Sequence, residues 1–213
     1  ILVEPIQGEG GINPASTAYI QSLRDIADEF NTLLIFDEVQ CGMGRSGKLF
    51  AYETANVTPD IMGLAKGIGG GFPVGAVLAT EKAASGMVPG THGSTYGGNP
   101  LAMAAANAVL DVMLEKDFLA SVVKKGTKLK NDLVSLVEKH SAVLESVRGV
   151  GLMLGIKSVG PNLELMAAFR ENKLLTVVAG ENVVRVLPPL NVSEEEISEA
   201  VQKIDQTCSQ VSS

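Results

Sequence analysis

The sequence has little cysteine, no long apolar run and no cluster of basic residues. Cysteine occurs only at Cys41 and Cys208, with no CxxC pair, so a disulfide framework is excluded and we expect a reducing, cytoplasmic compartment. No apolar stretch approaches the roughly 18–20 residues that a membrane-spanning helix needs. Lysine and arginine total 17 against 24 for aspartate and glutamate, a net charge of −7, which argues against binding to nucleic acid or to an anionic membrane.

The remaining composition is that of a folded protein. Hydrophobic residues make up 46 % of the chain and charged residues 19 %, which provides enough apolar side chains for a core and excludes a disordered chain. The length of 213 residues allows either one domain or two.

The start of the chain is unusual. Residues 1–5 (ILVEP) include no methionine, and the opening residues form neither the basic nor the apolar region of a signal peptide. We interpret them as the end of a buried parallel strand, which needs neighbours on both sides. We therefore expect the sequence to be the C-terminal part of a longer protein. The alternative is a mature chain that begins on an edge strand.

Residues 1–116 alternate between strand and helix patterns. Apolar residues at three- and four-residue spacing (Tyr19, Leu23, Ile26, Phe30) predict a helix over 14–31, and a second, alanine-rich helix is predicted over 101–116. Short apolar runs predict buried strands at 33–36, 61–65 and 74–80, with a glycine-rich bend at 67–71. The alternation favours an α/β fold with a mainly parallel sheet.

The pattern changes after residue 116. A charged amphipathic helix is predicted over 117–139, a helix over 163–171, and strands at 143–147, 152–156, 175–178 and 183–187, with residues 148–151 linking the first two strands. Ser193 and Glu196 form a capping-box pattern at the start of a final helix. We therefore predict two domains, 1–116 and a smaller α/β domain at 117–213.

Two charged residues follow predicted strands. Asp37 ends the strand at 33–36 and Lys66 ends the strand at 61–65. Their separation allows one crossover between parallel strands, so both should reach the edge of the sheet where ligands bind in such folds. A lysine and an acid at one edge match the needs of pyridoxal phosphate, which takes a Schiff-base lysine and an acid against its pyridinium nitrogen.

Each residue also has an ordinary structural interpretation. Asp37 could occupy a solvated turn and Lys66 could be a surface lysine, since most acids and lysines are exposed. A nucleotide-binding loop is disfavoured, because Lys66 precedes the glycines at 69–71 and neither the Walker A nor the dinucleotide glycine order is present.

Five longer segments carry a resemblance. They are residues 4–11 (EPIQGEGG), 36–47 (FDEVQCGMGRSG, with Ser46 for the usual threonine), 65–73 (AKGIGGGFP), 92–100 (HGSTYGGNP) and 184–190 (VRVLPPL). Together, in order and spacing, they resemble the acetylornithine/ornithine (class III) subgroup of pyridoxal-phosphate-dependent aminotransferases, and within it the acetylornithine enzymes most. The resemblance implies part of the large cofactor-binding domain followed by the small C-terminal domain.

The resemblance also implies residue roles. Lys66 would form the Schiff base, Asp37 would pair with the pyridinium nitrogen, Gln40 would hydrogen-bond the ring's 3′-oxygen and Val39 would pack on the ring. Ser94 and Thr95 would bind the cofactor, Thr95 through its phosphate and from the neighbouring subunit of a homodimer. Arg185 would hold the substrate α-carboxylate, and Glu9 would help the site to switch between amino donor and 2-oxoglutarate. No metal is expected.

Several of these residues allow alternatives. Arg185 could be an outward-facing strand residue, Thr95 a turn hydroxyl and Glu9 a cap on the glycine-rich turn. His92 is more typical of a structural loop residue than of a metal ligand. Cys41 could be reactive, although a half-buried spectator thiol is more common.

The expected reaction is transfer of the δ-amino group of N-acetylornithine to 2-oxoglutarate, giving glutamate, in arginine biosynthesis. Other donors remain open: ornithine, succinylornithine, succinyldiaminopimelate or 4-aminobutyrate. In the family, the phosphate-binding glycine loop lies N-terminal to the residues present here. A non-catalytic fragment is therefore the alternative from a different class.

Overall fold

The computed structural model describes residues 1–211, which divide into two compact units. The first unit consists of Ile1–Pro5, Ala15–Gly44 and Lys48–Leu119. The second consists of Ile6–Pro14, Arg45–Gly47 and the chain from Ala120 onward. Strands and helices are numbered below along the whole chain.

The first unit is built on a four-stranded sheet. Its strands are β1 (Leu2–Val3), β4 (Ile35–Asp37), β5 (Ile61–Leu64) and β6 (Ala76–Ala79), in that spatial order. Strands β1, β4 and β5 are parallel, whereas β6 is antiparallel to β5. Its helices are α1 (Thr17–Glu29), α2 (Glu81–Ala84), α3 (Pro100–Met113) and two 3₁₀ helices at Ala51–Thr54 and Lys66–Gly69. This mostly parallel sheet with helices confirms the predicted α/β class.

Helix α1 covers the core of this unit with a face that only partly matches the predicted one. Ser16 caps the helix, since its side chain accepts a hydrogen bond from the Tyr19 N–H at 3.2 Å. Ile20 and Ala27 are buried against Leu34 and Phe36, whereas the predicted face residues Tyr19, Ile26 and Phe30 are exposed. The predicted apolar face was therefore wrong at Tyr19, Ile26 and Phe30, whereas Leu23, its fourth predicted member, is half-buried and packs against this core.

Two strands predicted to be buried lie at the edges of the described sheet. In residues 1–211, β1 pairs only with β4 and β6 only with β5. Leu2 is 70 % exposed and Val77 is 75 % exposed. Apolar composition alone did not predict which strands lie at the edge, because that depends on pairing partners.

The second unit contains an antiparallel sheet. Its strands are β7 (Leu144–Val150), β8 (Met153–Ser158), β10 (Val183–Val186) and β9 (Val177–Ala179), in that spatial order. A hairpin of β2 (Ile6–Gln7) and β3 (Asn13–Pro14) belongs to the same unit. The helices are α4 (Phe118–Lys139, which begins in the first unit), α5 (Asn162–Glu171) and α6 (Glu194–Val211).

The first two strands of this sheet are longer than predicted. Arg148 and Val150, placed in a linker by the sequence pattern, lie in β7, and the turn is confined to Gly151 and Leu152. Gly149 permits this extension, because its φ of +111° is open to glycine and unfavourable for other residues.

The second unit includes two segments from early in the chain. The Gly180 N–H donates to the Glu9 carbonyl at 2.7 Å, and the Leu152 N–H donates to the Arg45 carbonyl at 3.0 Å. These hydrogen bonds attach residues 6–14 and 45–47 to the unit that starts at Ala120. The division into domains at 116/117 stays a prediction. One boundary in the sequence does not account for residues 6–14 and 45–47, which precede it and yet belong to the second unit.

Among residues 1–211, no helix has the length and hydropathy needed to cross a bilayer.

Candidate active site

The carboxyl ends of β4 and β5 bring together the two residues on which the cofactor prediction depends. Asp37 is the last residue of β4 and lies opposite Gly63 of the parallel strand β5. Lys66 follows Gly63 by three residues, at the same edge of the sheet. Ligands of parallel α/β sheets bind at this edge, so the topology supports the predicted pairing.

Asp37 is half-buried and its carboxylate is oriented by the chain that follows. Its Oδ1 accepts a hydrogen bond from the Val39 N–H at 2.9 Å, as in an Asx turn. Val39 and Gln40 are themselves half-buried beside it. Cys41 is 1 % exposed, so the half-buried thiol considered from the sequence is in fact fully buried.

Lys66 opens a tight bend and has an exposed side chain. It has a φ of +48°, and it is the first residue of the 3₁₀ helix Lys66–Gly69. Ile68 is buried at 8 % exposure, so it anchors this bend to the unit. A non-glycine residue in the left-handed region costs free energy and is more frequent at functional sites.

Ser94 and Thr95 lie in the exposed segment that precedes α3. His92 in the same segment is also exposed. Asn99 caps α3 by accepting the Ala102 N–H at 2.9 Å. The structure therefore places both hydroxyls on the surface of the chain, and their cofactor roles stay predictions.

Arg185 and Glu9 form an ion pair in the second unit. The Arg185 Nη1 lies 2.6 Å from the Glu9 Oε1, and the Arg185 Nη2 donates to the Val178 carbonyl at 2.9 Å. Arg185 is 8 % exposed, whereas the Glu9 side chain is 70 % exposed. The outward-facing alternative for Arg185 was wrong, because all four residues of β10 are buried.

The sequence analysis missed Glu38. This residue follows Asp37 and is 1 % exposed, and its two carboxylate oxygens accept the Ala51 and Tyr52 N–H groups at 2.7 and 2.8 Å. Burial raises the pKa of Glu38 to about 7, against the opposing effect of these two donors. Its only sequence signal is an acid after a buried strand, which also describes Asp37.

Arg45 was also missed. Its Nη1 donates to the Leu152 carbonyl at 3.1 Å and to the Pro188 carbonyl at 2.5 Å, so it joins the β7–β8 turn to the segment after β10. Burial lowers the pKa of the Arg45 guanidinium below its usual value. Within the resembling segment 36–47, Arg45 thus holds together backbone segments of the second unit.

Comparisons with known proteins identify relatives of this arrangement. The aminotransferase class-III family model matches residues 1–208. Acetylornithine aminotransferase 1 of Bradyrhizobium diazoefficiens is 57 % identical over the whole chain, which covers 53 % of that protein. The chain thus spans about half the length of the curated relatives that it matches.

Solved structures give the same result. Acetylornithine aminotransferase from Elizabethkingia anophelis superposes with a TM-score of 0.91 at 38 % identity, over 98 % of this chain and 53 % of that one. Ornithine aminotransferase from Toxoplasma gondii gives a TM-score of 0.93 at 32 % identity, over 99 % of this chain and 51 % of that one. That structure was described as having pyridoxal phosphate at partial occupancy in its active site. By its sequence and its fold, the chain belongs to the class-III aminotransferase family.

Proposed function

We propose that the protein containing this chain is a pyridoxal-phosphate-dependent aminotransferase that moves the δ-amino group of N-acetylornithine to 2-oxoglutarate, as a step of arginine biosynthesis in the cytoplasm. The register between β4 and β5 carries this proposal, because it puts Asp37 and Lys66 at one edge of a parallel sheet. The family's class of reaction and the names of the relatives support the choice of donor.

The residues at this edge fit pyridoxal phosphate. An exposed amine at Lys66 and a half-buried carboxylate at Asp37 are the two groups that the cofactor needs, and Val39 and Gln40 offer an apolar and an amide contact beside them. Ser94 and Thr95 would bind the cofactor, Thr95 through its phosphate and across the interface of a homodimer. When bound, the cofactor supplies an electron sink for the carbon that loses its proton.

Asp37 and Lys66 have different tasks in this chemistry. The Asp37 carboxylate favours the protonated form of the ring nitrogen, because an opposite charge nearby stabilises a cation. The Lys66 Nζ would hold the cofactor through its aldehyde and, once the donor amine has displaced it, would move the proton from the donor's δ-carbon to the cofactor, so that the amino group stays on the cofactor.

The pair of Arg185 and Glu9 would distinguish the two substrates. A guanidinium can bind the α-carboxylate of 2-oxoglutarate through two parallel hydrogen bonds. Glu9 occupies one guanidinium nitrogen at 2.6 Å in the present structure, and its exposed side chain can move away. With Glu9 in place the arginine is neutralised, and with Glu9 displaced it is open to the acceptor.

The first test is chemical trapping on the full-length protein. Borohydride reduction in the presence of pyridoxal phosphate, followed by peptide mass analysis, should label Lys66, and Lys66→Ala should lose both the label and turnover. Labelling of another residue, or wild-type turnover by Lys66→Ala, would reject the cofactor site.

Donor specificity needs a second assay. The full-length protein with pyridoxal phosphate, not treated with borohydride, should prefer N-acetylornithine over ornithine, succinylornithine, succinyldiaminopimelate and 4-aminobutyrate when kcat/KM values are compared. A preference for another donor would keep the class of reaction and change the substrate. No turnover with any donor would favour the non-catalytic alternative.

A further inference from the structure

A second arginine in the second unit joins the loop that carries Glu9 to the turn before β10. Arg148 lies in β7 opposite Gly155, and its Nη1 donates to the Asn13 Oδ1 at 2.8 Å. The same nitrogen pairs with the Glu181 carboxylate. We call these three residues, Arg148, Asn13 and Glu181, the clamp.

The loop at residues 8–12 rests directly on the β9–β10 turn. The Gly180 N–H donates to the Glu9 carbonyl at 2.7 Å. A Cβ on Gly11 would lie 2.9 Å from the Gly180 carbonyl oxygen, and a Cβ on Gly180 would lie 3.1 Å from the Glu9 carbonyl oxygen. The backbones approach too closely for side chains between them, so a shift of the turn also shifts the residue that pairs with Arg185.

The β9–β10 turn places a clamp residue, Glu181, in a backbone conformation that is unfavourable for glutamate. Glu181 and Asn182 have φ values of +53° and +61°, and the Val183 N–H donates to the Gly180 carbonyl at 3.2 Å, the pattern of a type I′ turn. Asparagine tolerates this conformation, whereas glutamate is strained in it. A strained residue whose side chain makes a specific ion pair suggests a functional reason for its presence.

We propose that the clamp is a positioning device that sets how readily Glu9 leaves Arg185, and so how the enzyme divides its affinity between amino donor and keto-acid acceptor. The inference rests on the proposed function of the Arg185–Glu9 pair. Neither Arg148 nor Glu181 touches the substrate in this role; both act through the position of the Glu9 loop.

The direction of the effect follows from competition for one guanidinium. When the clamp holds the loop, Glu9 stays near Arg185 and neutralises its charge. This arrangement favours binding of the donor and opposes binding of the acceptor's carboxylate. A released loop lets Glu9 sample other positions. Loss of the clamp should therefore strengthen acceptor binding and weaken donor binding, two changes of opposite sign.

Two substitutions in the full-length protein test this inference. Arg148→Met removes the cation, and Glu181→Gly removes the carboxylate while relieving the strained turn, so that its effect cannot be attributed to a weakened fold. The matched control is Lys203→Met. Its ion pair with Glu199 is exposed to 27 % and 62 %, close to the 25 % and 54 % of Arg148 and Glu181, and it lies within α6.

In both clamp variants the KM for 2-oxoglutarate should fall about three- to fivefold and the KM for the donor should rise by a similar factor, the size expected for a partly exposed ion pair. The kcat should stay within about twofold, because no group that touches the reacting atoms is changed. Lys203→Met should change neither KM. Parallel changes in both KM values, or none, would overturn the inference.

Hydrogen exchange gives a readout that does not depend on activity. Peptides covering residues 6–14 and 176–186 should exchange faster in Arg148→Met and Glu181→Gly than in Lys203→Met, since the Gly180 N–H bond to Glu9 is loosened. Unchanged exchange would reject the clamp even in an active enzyme. If the parent protein transaminates no donor, the proposed function is rejected. The hydrogen-exchange rates of these two peptides still show whether the clamp holds the loop.

Discussion

Two neighbouring acids at the end of β4 have opposite environments. Asp37 is half-buried at the edge where a ligand can reach it, with its Oδ1 on the Val39 N–H. Glu38 points the other way and is enclosed by the first turn of the 3₁₀ helix at Ala51–Thr54. Adjacent residues of an extended strand point to opposite faces, which separates a candidate ligand-binding acid from a structural one.

Replacement of Asp37 by asparagine should reduce turnover without preventing cofactor binding. The amide has nearly the same shape but no charge, so it no longer favours the protonated ring nitrogen. We expect kcat to fall by at least about a thousandfold in the full-length protein, a loss comparable to that of a strong electrostatic contact in an active site. The exposed Asp25→Asn serves as the control. A Lys66 adduct with wild-type kcat in Asp37→Asn would reduce Asp37 to a structural acid.

Glu38 should make the free energy of unfolding depend on pH. Its pKa is about 7 in the folded chain, above the ordinary value of 4.5, so the folded state binds more protons between these values and stability falls as pH rises through this window. The loss should approach about 3 kcal/mol above pH 8. In Glu38→Gln, the free energy of unfolding should lack this dependence on pH.

Denaturant unfolding at several pH values measures the effect. Glu38→Gln loses one backbone acceptor and should be less stable than the parent at pH 5, and the deficit should shrink by about 2–3 kcal/mol by pH 8. A constant deficit across this range would contradict the raised pKa.

At the scale of elements, local sequence signals agree with the structure at the starts of α3 and α6, whereas the predicted apolar face of α1 agrees with it only at Leu23. The capping box at the start of α6 is confirmed, since the Glu196 N–H donates to the Ser193 Oγ at 3.1 Å and the Ser193 N–H donates to the Glu196 Oε2 at 2.7 Å. Pro100 is the first residue of α3, a position where proline is tolerated because its missing N–H would have no partner within the helix. The buried face of α4 has residues at spacings of four and three: Val122, Gly126, Leu129, Leu133 and Leu136.

Gly126 allows α4 to lie on the β7–β8 turn. A Cβ at this position would come within 2.4 Å of the Gly151 carbonyl oxygen, a backbone atom that cannot rotate away. Gly126→Ala should gain about 1 kcal/mol of helix propensity and lose more to this clash, for a net destabilisation of about 2 kcal/mol. Gly160→Ala is the control, because its Cβ would meet no atom within 4 Å. A Gly126→Ala variant as stable as its parent in urea unfolding would refute this packing.

At the scale of the whole molecule, acid sensitivity should depend on long-range pairs such as the one between α4 and α6. The Asp205 Oδ1 lies 2.5 Å from the His140 Nε2, and the Lys139 Nζ lies 2.8 Å from the Asp205 Oδ2. His140 and then Lys139 lower the pKa of Asp205. A carboxyl with a lowered pKa stabilises the fold above its unfolded-state value and loses that contribution as pH falls through its folded-state value.

Asp205→Asn should therefore lower the free energy of unfolding at pH 7 by about 1–2 kcal/mol, which is measured as a lower Tm. The difference in stability between the variant and its parent should narrow below about pH 4. Asp132→Asn is the matched control, since Asp132 is exposed to the same 33 % and pairs with Lys128 within one helix. We expect that control to change stability by less than about 0.5 kcal/mol. A pH-independent difference between Asp205→Asn and its parent would contradict the lowered pKa.

The sequence by itself determined the α/β class, the family and the positions of Asp37 and Lys66 at the ends of two strands. It also determined the order of the elements, except for the β2–β3 hairpin, α2 and the 3₁₀ helix at Ala51–Thr54. These features depend on local periodicity, caps and motif spacing, which are written in consecutive residues. Tertiary structure alone decided that β1 and β6 lie at the edges of the sheet described for residues 1–211, that Ile20 rather than Tyr19 faces the core, and that Arg148 reaches Asn13 and Glu181. Burial and long-range ion pairs are set by the neighbours that folding brings together, and those neighbours are far away in the sequence.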